Sequence, residues 1–290
     1  MIKINIKMER WDKMPVERYF KYLRKDRMTH VWCPGCGNGI IMKNFVEAVD
    51  NLGLDKNKVA VVSGIGCSSR VTGYLDFNTM HTLHGRAIAF ATGVKLAKPE
   101  FNVVVMGGDG DILAIGGNHF IHACRRNMDL TVIIFNNSIY GMTGGQYSPE
   151  TPAGTYASTS PYGNLENEFD AVNLAITSGA TYVARSTVFH YMLSVKYIEN
   201  ALKHKGMSVV EIVTNCHTYY GRYNKMTEPT QMLQYFKDNS VMLSKAKNMD
   251  ENDLKDKIII GEFLNVEKEG YVDRYEKLRK KLVSQEVSPK

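Results

Sequence analysis

VVVMGGDGDILAIGGNHFIHACRRNMDLTVIIFNNSIYGMTGGQY, residues 103–147, decides the fold. It opens on a β-branched run, Val103-Val104-Val105, and turns sharply through Gly107-Gly108-Asp109-Gly110-Asp111. A second apolar run, 130–135, ends on Asn136-Asn137, followed by Ser138-Ile139-Tyr140-Gly141. A helical stretch lies between the two runs. Two buried strands, each ending in a polar, glycine-containing turn, make one βαβ unit of a parallel sheet, with both turns side by side at its carboxyl edge. Ligands of open α/β folds bind at that edge. Glycines let backbone N–H groups approach a diphosphate, and a following helix N-terminus favours its negative charge. Asp109 and Asn137 offer hard oxygens to Mg²⁺, which takes few protein ligands alongside phosphates.

Working outward, the pattern of strand, turn and helix repeats. Residues 40–52 have helical periodicity and stop at Gly53, and 59–63 read as a buried strand ending at Gly64-Ile65-Gly66-Cys67-Ser68-Ser69-Arg70. His81-Thr82-Leu83-His84-Gly85-Arg86 leads into a helix over 87–96. His84 and Arg86 fit equally a ligand contact or the helix start. Downstream, 169–178 and 191–203 read as helices and 182–184 and 208–213 as strands, the last ending at Asn215-Cys216-His217. The glycines after Tyr140 (GMTGGQYSP) suit a loop folding over a ligand, and 151–164 is a long Thr, Ser, Pro and Gly loop of functional or interface type. From 225 the composition turns polar, with helices expected near 227–246 and 271–283. The expected organisation is an arm over 1–30, a central domain over 31–225 and a helical C-terminal extension over 226–290.

The 290 residues suffice for one large α/β domain with appendages, and 44% hydrophobic with 23% charged residues is ordinary for a globular protein. A net charge of +6 is too mild and dispersed to argue for nucleic acid, though it would help attract an acidic protein partner. No apolar run approaches the ~20 residues of a membrane span. The N-terminus lacks a signal-peptide apolar core, so a cytoplasmic location is expected. The five cysteines are therefore not read as disulfides.

Trp32-Cys33-Pro34-Gly35-Cys36-Gly37 holds a CxxC turn, which places two thiols together for a metal, a cluster or a redox disulfide. Cys67 and Cys216 sit on strand-end turns of the same sheet edge, whereas Cys124, within a helix, reads as a core or half-buried thiol. Four thiolates from separate segments suit a [4Fe–4S] cluster, and Cys₄ zinc is the competing reading.

Gly108-Asp109-Gly110 followed after 25 residues (111–135) by Asn136-Asn137 resembles the thiamine diphosphate motif. That resemblance implies Mg²⁺ on Asp109, Asn137 and the Ile139 carbonyl. Together with WCPGCG, GIGCSS, HTLHGRA, ATGVKLA, FNNSIYGMTGGQYSP and the single Cys216, the chain resembles the β subunits of 2-oxoacid:ferredoxin oxidoreductases over roughly residues 30–225. TPAGTYASTSPYGN followed by FDAVNLAITSGATYVAR resembles the 2-oxoglutarate-specific branch. The resemblance implies a diphosphate-half domain with Ile65, Gly66, Cys67, Ser68, His84, Gly108, Gly110, Asp111, Gly141, Met142 and Thr143 at thiamine diphosphate. It also implies a [4Fe–4S] cluster on Cys33, Cys36, Cys67 and Cys216. The reaction implied is oxidative decarboxylation of 2-oxoglutarate to succinyl-CoA and CO₂, with coenzyme A as acyl acceptor and ferredoxin as electron acceptor. Pyruvate or a branched-chain 2-oxoacid is the alternative substrate, and a non-redox nucleotide-binding protein with structural zinc the alternative class. An α subunit is expected to bring the glutamate that activates the cofactor, in an αβ or α₂β₂ assembly. Broad-specificity relatives carry a lysine in the GMTGGQ loop where Gly144 and Gly145 stand here. Arg70, close after Cys67, is the candidate for the distal substrate carboxylate, because guanidinium pairs bidentately with carboxylate.

Overall fold

The computed structural model describes residues 16–286. Eight strands form one sheet: β1 (Val59–Ser63), β2 (Asn78–His81), β3 (Asn102–Gly108), β4 (Thr131–Asn136), β5 (Tyr182–Thr187), β6 (Ser208–Val213), β7 (Ser240–Met242) and β8 (Ile258–Asn265), in the spatial order β2-β1-β3-β4-β6-β5-β8-β7. Neighbours from β2 to β5 pair in parallel, β8 runs antiparallel to β5, and β7 is parallel to β8. The helices are α1 (Val16–Tyr19), α2 (Asn38–Asn51), α3 (Ala87–Ala97), α4 (Gly117–Arg126), α5 (Ala171–Ser178), α6 (Tyr191–Lys203), α7 (Pro229–Asn239), α8 (Leu243–Ala246), α9 (Glu251–Leu254) and α10 (Tyr271–Glu286).

The central strands are apolar throughout because helices cover both faces. Alternate residues divide into two cores. Val59, Val61, Val104, Met106, Ile133 and Phe135 share one with the Ile41, Phe45 and Val49 stripe of α2 and with α6. Ala60, Val62, Val103, Val105, Val132 and Ile134 share the other with α3, α4 and α5. Local chemistry sets the helix ends. The Asp170 carboxylate accepts from the Val172 and Asn173 N–H groups at the start of α5, and Gly179 ends it at φ 102°. Asn127, at φ 51°, ends α4.

The order of the strands positions the site. From β1 the chain moves outward to β2, then returns across β1 to β3. The crevice between β1 and β3 is therefore a topological switch point, where open α/β sheets bind ligands. Val62 pairs with Val105 and Gly108 with Phe135, so the loops after β1, β3 and β4 leave the sheet together.

Three parts differ from expectation. The described part of the N-terminal arm is packed on its own chain, with Tyr19 and Tyr22 buried in the α2 core. The C-terminal extension has its helices, but the stretch expected as one helix over 227–246 breaks into α7, β7 and α8. β7 and β8 then extend the sheet past β5, so the extension is mixed α and β. The stretch after β3 is first a π-helical turn, Gly110–Ile115, and only then α4. Among the described residues no helix is long and apolar enough to cross a membrane.

Candidate active site

A cleft of about 90 Å³ opens at the switch point. The β1 loop contributes Ile65, Gly66, Cys67 and Ser68, the β3 loop Gly108, Asp109, Gly110 and Asp111, and the turn before α3 His84. The β4 loop adds Asn137, Ile139, Tyr140, Gly141, Met142 and Thr143. All residues that the sequence assigns to the cofactor and to Mg²⁺ thus meet in one place, and Tyr140 joins them. Its hydroxyl donates to the Gly110 carbonyl at 3.1 Å. A Cβ on Gly110 would sit 2.3 Å from the Tyr140 ring, so only glycine permits this approach.

Asp111 organises the rim. Its Oδ1 accepts from the Gly85 N–H at 2.7 Å and the Ile65 N–H at 3.2 Å, and lies 2.5 Å from His84 Nδ1. A carboxylate on Nδ1 favours the proton there, leaving Nε2 as the free nitrogen of the half-exposed ring. Gly64 makes room, since a Cβ on it would fall 2.1 Å from Asp111 Oδ2.

Asp109 is buried, and its Oδ2 accepts from the Ser148 hydroxyl at 2.5 Å. Burial pushes its carboxyl up to about 7, with the Glu211 charge adding to the rise. A carboxyl buried in this way calls for a neighbouring cation to hold it ionised, the need that the expected Mg²⁺ would meet. Ser138 stands between the two other expected Mg²⁺ ligands in the left-handed region, φ 56°. The Asn137 Oδ1 accepts from the Ile139 N–H at 3.3 Å.

A second cavity, of about 210 Å³, is lined by Cys33, Cys36, Cys67 and Cys216. Burial pushes the Cys36 thiol up to about 12 and Cys67 up to about 11, and the neighbouring sulfurs reinforce both. Among the described residues no three His, Cys, Asp or Glu side chains converge tightly enough for one metal ion. The Trp32 indole N–H donates to the Cys67 carbonyl at 2.6 Å and ties the CxxC segment to the β1 loop. Gly37 lies against β6, for a Cβ there would be 2.1 Å from Thr214 Oγ1. Cys67, Asn137, Gly141 and Met142 line both cavities, so the two share one wall.

Other assignments fare differently. Arg70 is exposed and lies outside the residues lining the cleft. Arg86 precedes α3 without capping it by its side chain, which donates to the Ile115 carbonyl at 3.3 Å, and it lies outside the cleft lining. Cys124 is fully buried in the second core. Tyr140 and Ser148 fall within FNNSIYGMTGGQYSP and Trp32 within WCPGCG, but nothing in the sequence assigns any of the three a role. The only available signal for Ser148 was the general demand of a buried carboxylate for a donor.

The family described as thiamine pyrophosphate enzyme, C-terminal TPP binding domain, matches residues 64–212. The 2-oxoglutarate synthase subunit KorB of Methanocaldococcus jannaschii is 54% identical over 91% of this chain and 98% of that protein. That of Archaeoglobus fulgidus is 51% identical over 90% and 94%. The 2-oxoacid:ferredoxin oxidoreductase subunit beta of Saccharolobus solfataricus is 42% identical over 76% and 73%. A solved structure of 2-oxoglutarate:ferredoxin oxidoreductase from Magnetococcus marinus, with 2-oxoglutarate, coenzyme A and succinyl-CoA bound, superposes with a TM-score of 0.81. It is 34% identical and covers 93% of this chain and 92% of that one. The glycine-lined switch-point cleft thus has its counterpart in a known lineage: the chain belongs to the 2-oxoglutarate synthase KorB family of thiamine pyrophosphate-dependent β subunits.

Proposed function

We propose that this chain is the β subunit of a CoA-dependent 2-oxoglutarate:ferredoxin oxidoreductase. The wall shared by the two cavities carries the reading, because a thiamine cofactor in the one would lie beside an electron acceptor in the other. Thiamine diphosphate supplies an electron sink for decarboxylation, and a [4Fe–4S] cluster accepts electrons one at a time. Asp109, Asn137 and the Ile139 carbonyl would hold Mg²⁺, while Gly108 and Gly110 let backbone approach the diphosphate. Asp111 fixes His84 at the rim, where Nε2 can hold or donate a proton. Cys33, Cys36, Cys67 and Cys216 would ligate the cluster. Cys₄ zinc on the same four thiols is the competing reading, which iron, sulfide and zinc analysis separates from a cluster. Arg70 has no support from the cleft geometry as a substrate ligand, and the distal carboxylate is left to a partner.

That partner is an α subunit. Ile65 and Met142 line the cleft yet are exposed, as are Leu83 beside His84 and Ile115 beside Gly85. An apolar rim around a polar cleft marks a surface made to be covered.

The complex, purified anaerobically with its partner, should contain four iron and four sulfide per β chain and form succinyl-CoA from 2-oxoglutarate with a viologen acceptor. Faster turnover of pyruvate or a branched-chain 2-oxoacid would overturn the substrate assignment. Stoichiometric zinc without sulfide would overturn the redox assignment. Cys216→Ser should lose the cluster while still binding thiamine diphosphate; retention of all four irons would refute the ligand set.

A further inference from the structure

One polar side chain in the cysteine cavity has no role so far. Asn38, the first residue of α2, is fully buried and lines the cavity with Cys33, Cys36 and Cys67. Neither its Nδ2 nor its Oδ1 has a hydrogen-bond partner. Leaving a buried amide unpaired is costly, and beside a cavity such a side chain points to a partner that completes the site. The cavity it lines is rich in sulfur. Thiolate and sulfide are acceptors without donors, which suits the two N–H bonds of an amide. Backbone amides act in the same sense: that of Asn38 lowers the Cys36 thiol against the rise from burial, and those of Tyr219 and Tyr220 lower Cys216.

We propose that the Asn38 side chain donates an N–H···S hydrogen bond to the iron–sulfur cluster and sets its reduction potential. The inference rests on the cluster reading above. A hydrogen bond to an anionic acceptor strengthens as the acceptor gains charge, so Asn38 stabilises the reduced form and raises the potential. It is a positioning residue that ligates nothing itself.

Asn44 supplies the control. It lies on the same helix, is equally buried and equally lacks partners, but it does not line the cavity. The test uses the complex purified anaerobically with its partner subunit. Iron and sulfide are counted, and the cluster whose signal Cys216→Ser abolishes is titrated by EPR at fixed potentials. Asn38→Leu is expected to keep full iron and sulfide and to lower the reduced-to-oxidised ratio at a given potential about tenfold, a shift of about 59 mV for one electron. Asn44→Leu is expected to leave the ratio unchanged. Where Asn38→Leu does not assemble, Asn38→Ala, which removes the donor without adding a charge, carries the same test. An unmoved potential at full occupancy, or an equal shift from Asn44→Leu, overturns the inference. So does loss of the cluster in both Asn38 variants, which would assign the residue to folding. A wild-type complex without the cluster would sink the underlying reading instead.

Discussion

Burial pushes the Asp109 carboxyl from 3.8 up to about 7, and the direction of that shift has a measurable consequence. Between those two values the folded, cofactor-free chain keeps a proton that the unfolded chain has lost. The Asp109 contribution to stability therefore falls as pH rises through the window, and the buried Glu150, shifted the same way and raised further by the Asp109 charge, adds to the fall. Three histidines shifted down by burial, His119, His190 and His204, oppose this at the acidic end. Comparison with Asp109→Asn cancels them, because that variant keeps the histidines and lacks the acid. The Tm of wild type should drop relative to Asp109→Asn as pH is raised from about 5 to about 8. Parallel Tm curves would show that the carboxyl does not carry the shift. Ser148, which donates to Asp109 at 2.5 Å, makes a second prediction. Partners of metal ligands are typically worth 10–100-fold in affinity, so Ser148→Ala should weaken Mg²⁺ binding in the presence of thiamine diphosphate by at least about tenfold. Calorimetric titration of Mg²⁺ measures it.

At the scale of elements, the loop after β4 stands out for its backbone. Ser138 holds φ 56° without being glycine, between Asn137 and Ile139. A β-branched residue is disfavoured in that region, so Ser138→Val should cost about 1–2 kcal/mol in urea unfolding and weaken Mg²⁺ retention. Ser138→Gly should cost far less, and equal losses in the two would place the effect in the hydroxyl. The turn itself was legible: Gly108-Asp109-Gly110 and Asn136-Asn137 end strands that have no polar residue among their buried valines and isoleucines. So were β1, α6 and β6, whose limits match the periodicity. β2 was not, because Asn78-Thr79-Met80-His81 is an exposed edge with no apolar alternation, made a strand by its pairing with β1. β8 was legible in the β-branched run Ile258-Ile259-Ile260 and in Phe263-Leu264, but the charged residues on both sides point to a helical extension; its pairing with β5 includes an irregularity at Val183 and Ala184. The π-helical turn after Asp109 also leaves no periodic trace. Cys67 and Cys216 could be grouped from strand ends with the Cys33-Cys36 turn, but the one cavity that all four line exists only in three dimensions.

For the whole molecule, the site faces outward from a sheet that is otherwise closed. Two hydrophobic cores fill both faces of the sheet, and β8 and β7 extend it beyond β5. Unsatisfied apolar surface is left beside the cleft, at Ile65, Leu83, Ile115 and Met142. The cleft itself measures about 90 Å³, below the ~300–1,000 Å³ of sites that enclose a small molecule. A diphosphate with its metal suits that scale, while the reactive end of the cofactor must extend past the rim. Covering the rim would exclude water and enclose that end in one step. The chain alone should therefore bind Mg²⁺–thiamine diphosphate weakly and turn over no 2-oxoglutarate, and adding its partner subunit should restore both. Leu83→Asp, at the rim and outside the cleft lining, should weaken assembly without altering the fold, because an exposed Leu83 contributes little to the core while a charge buried at an interface is costly. Light scattering of the mixed subunits and circular dichroism of the β chain separate the two effects. Unchanged assembly by Leu83→Asp would move the interface away from this rim, and full turnover by the β chain alone would remove the need for a partner.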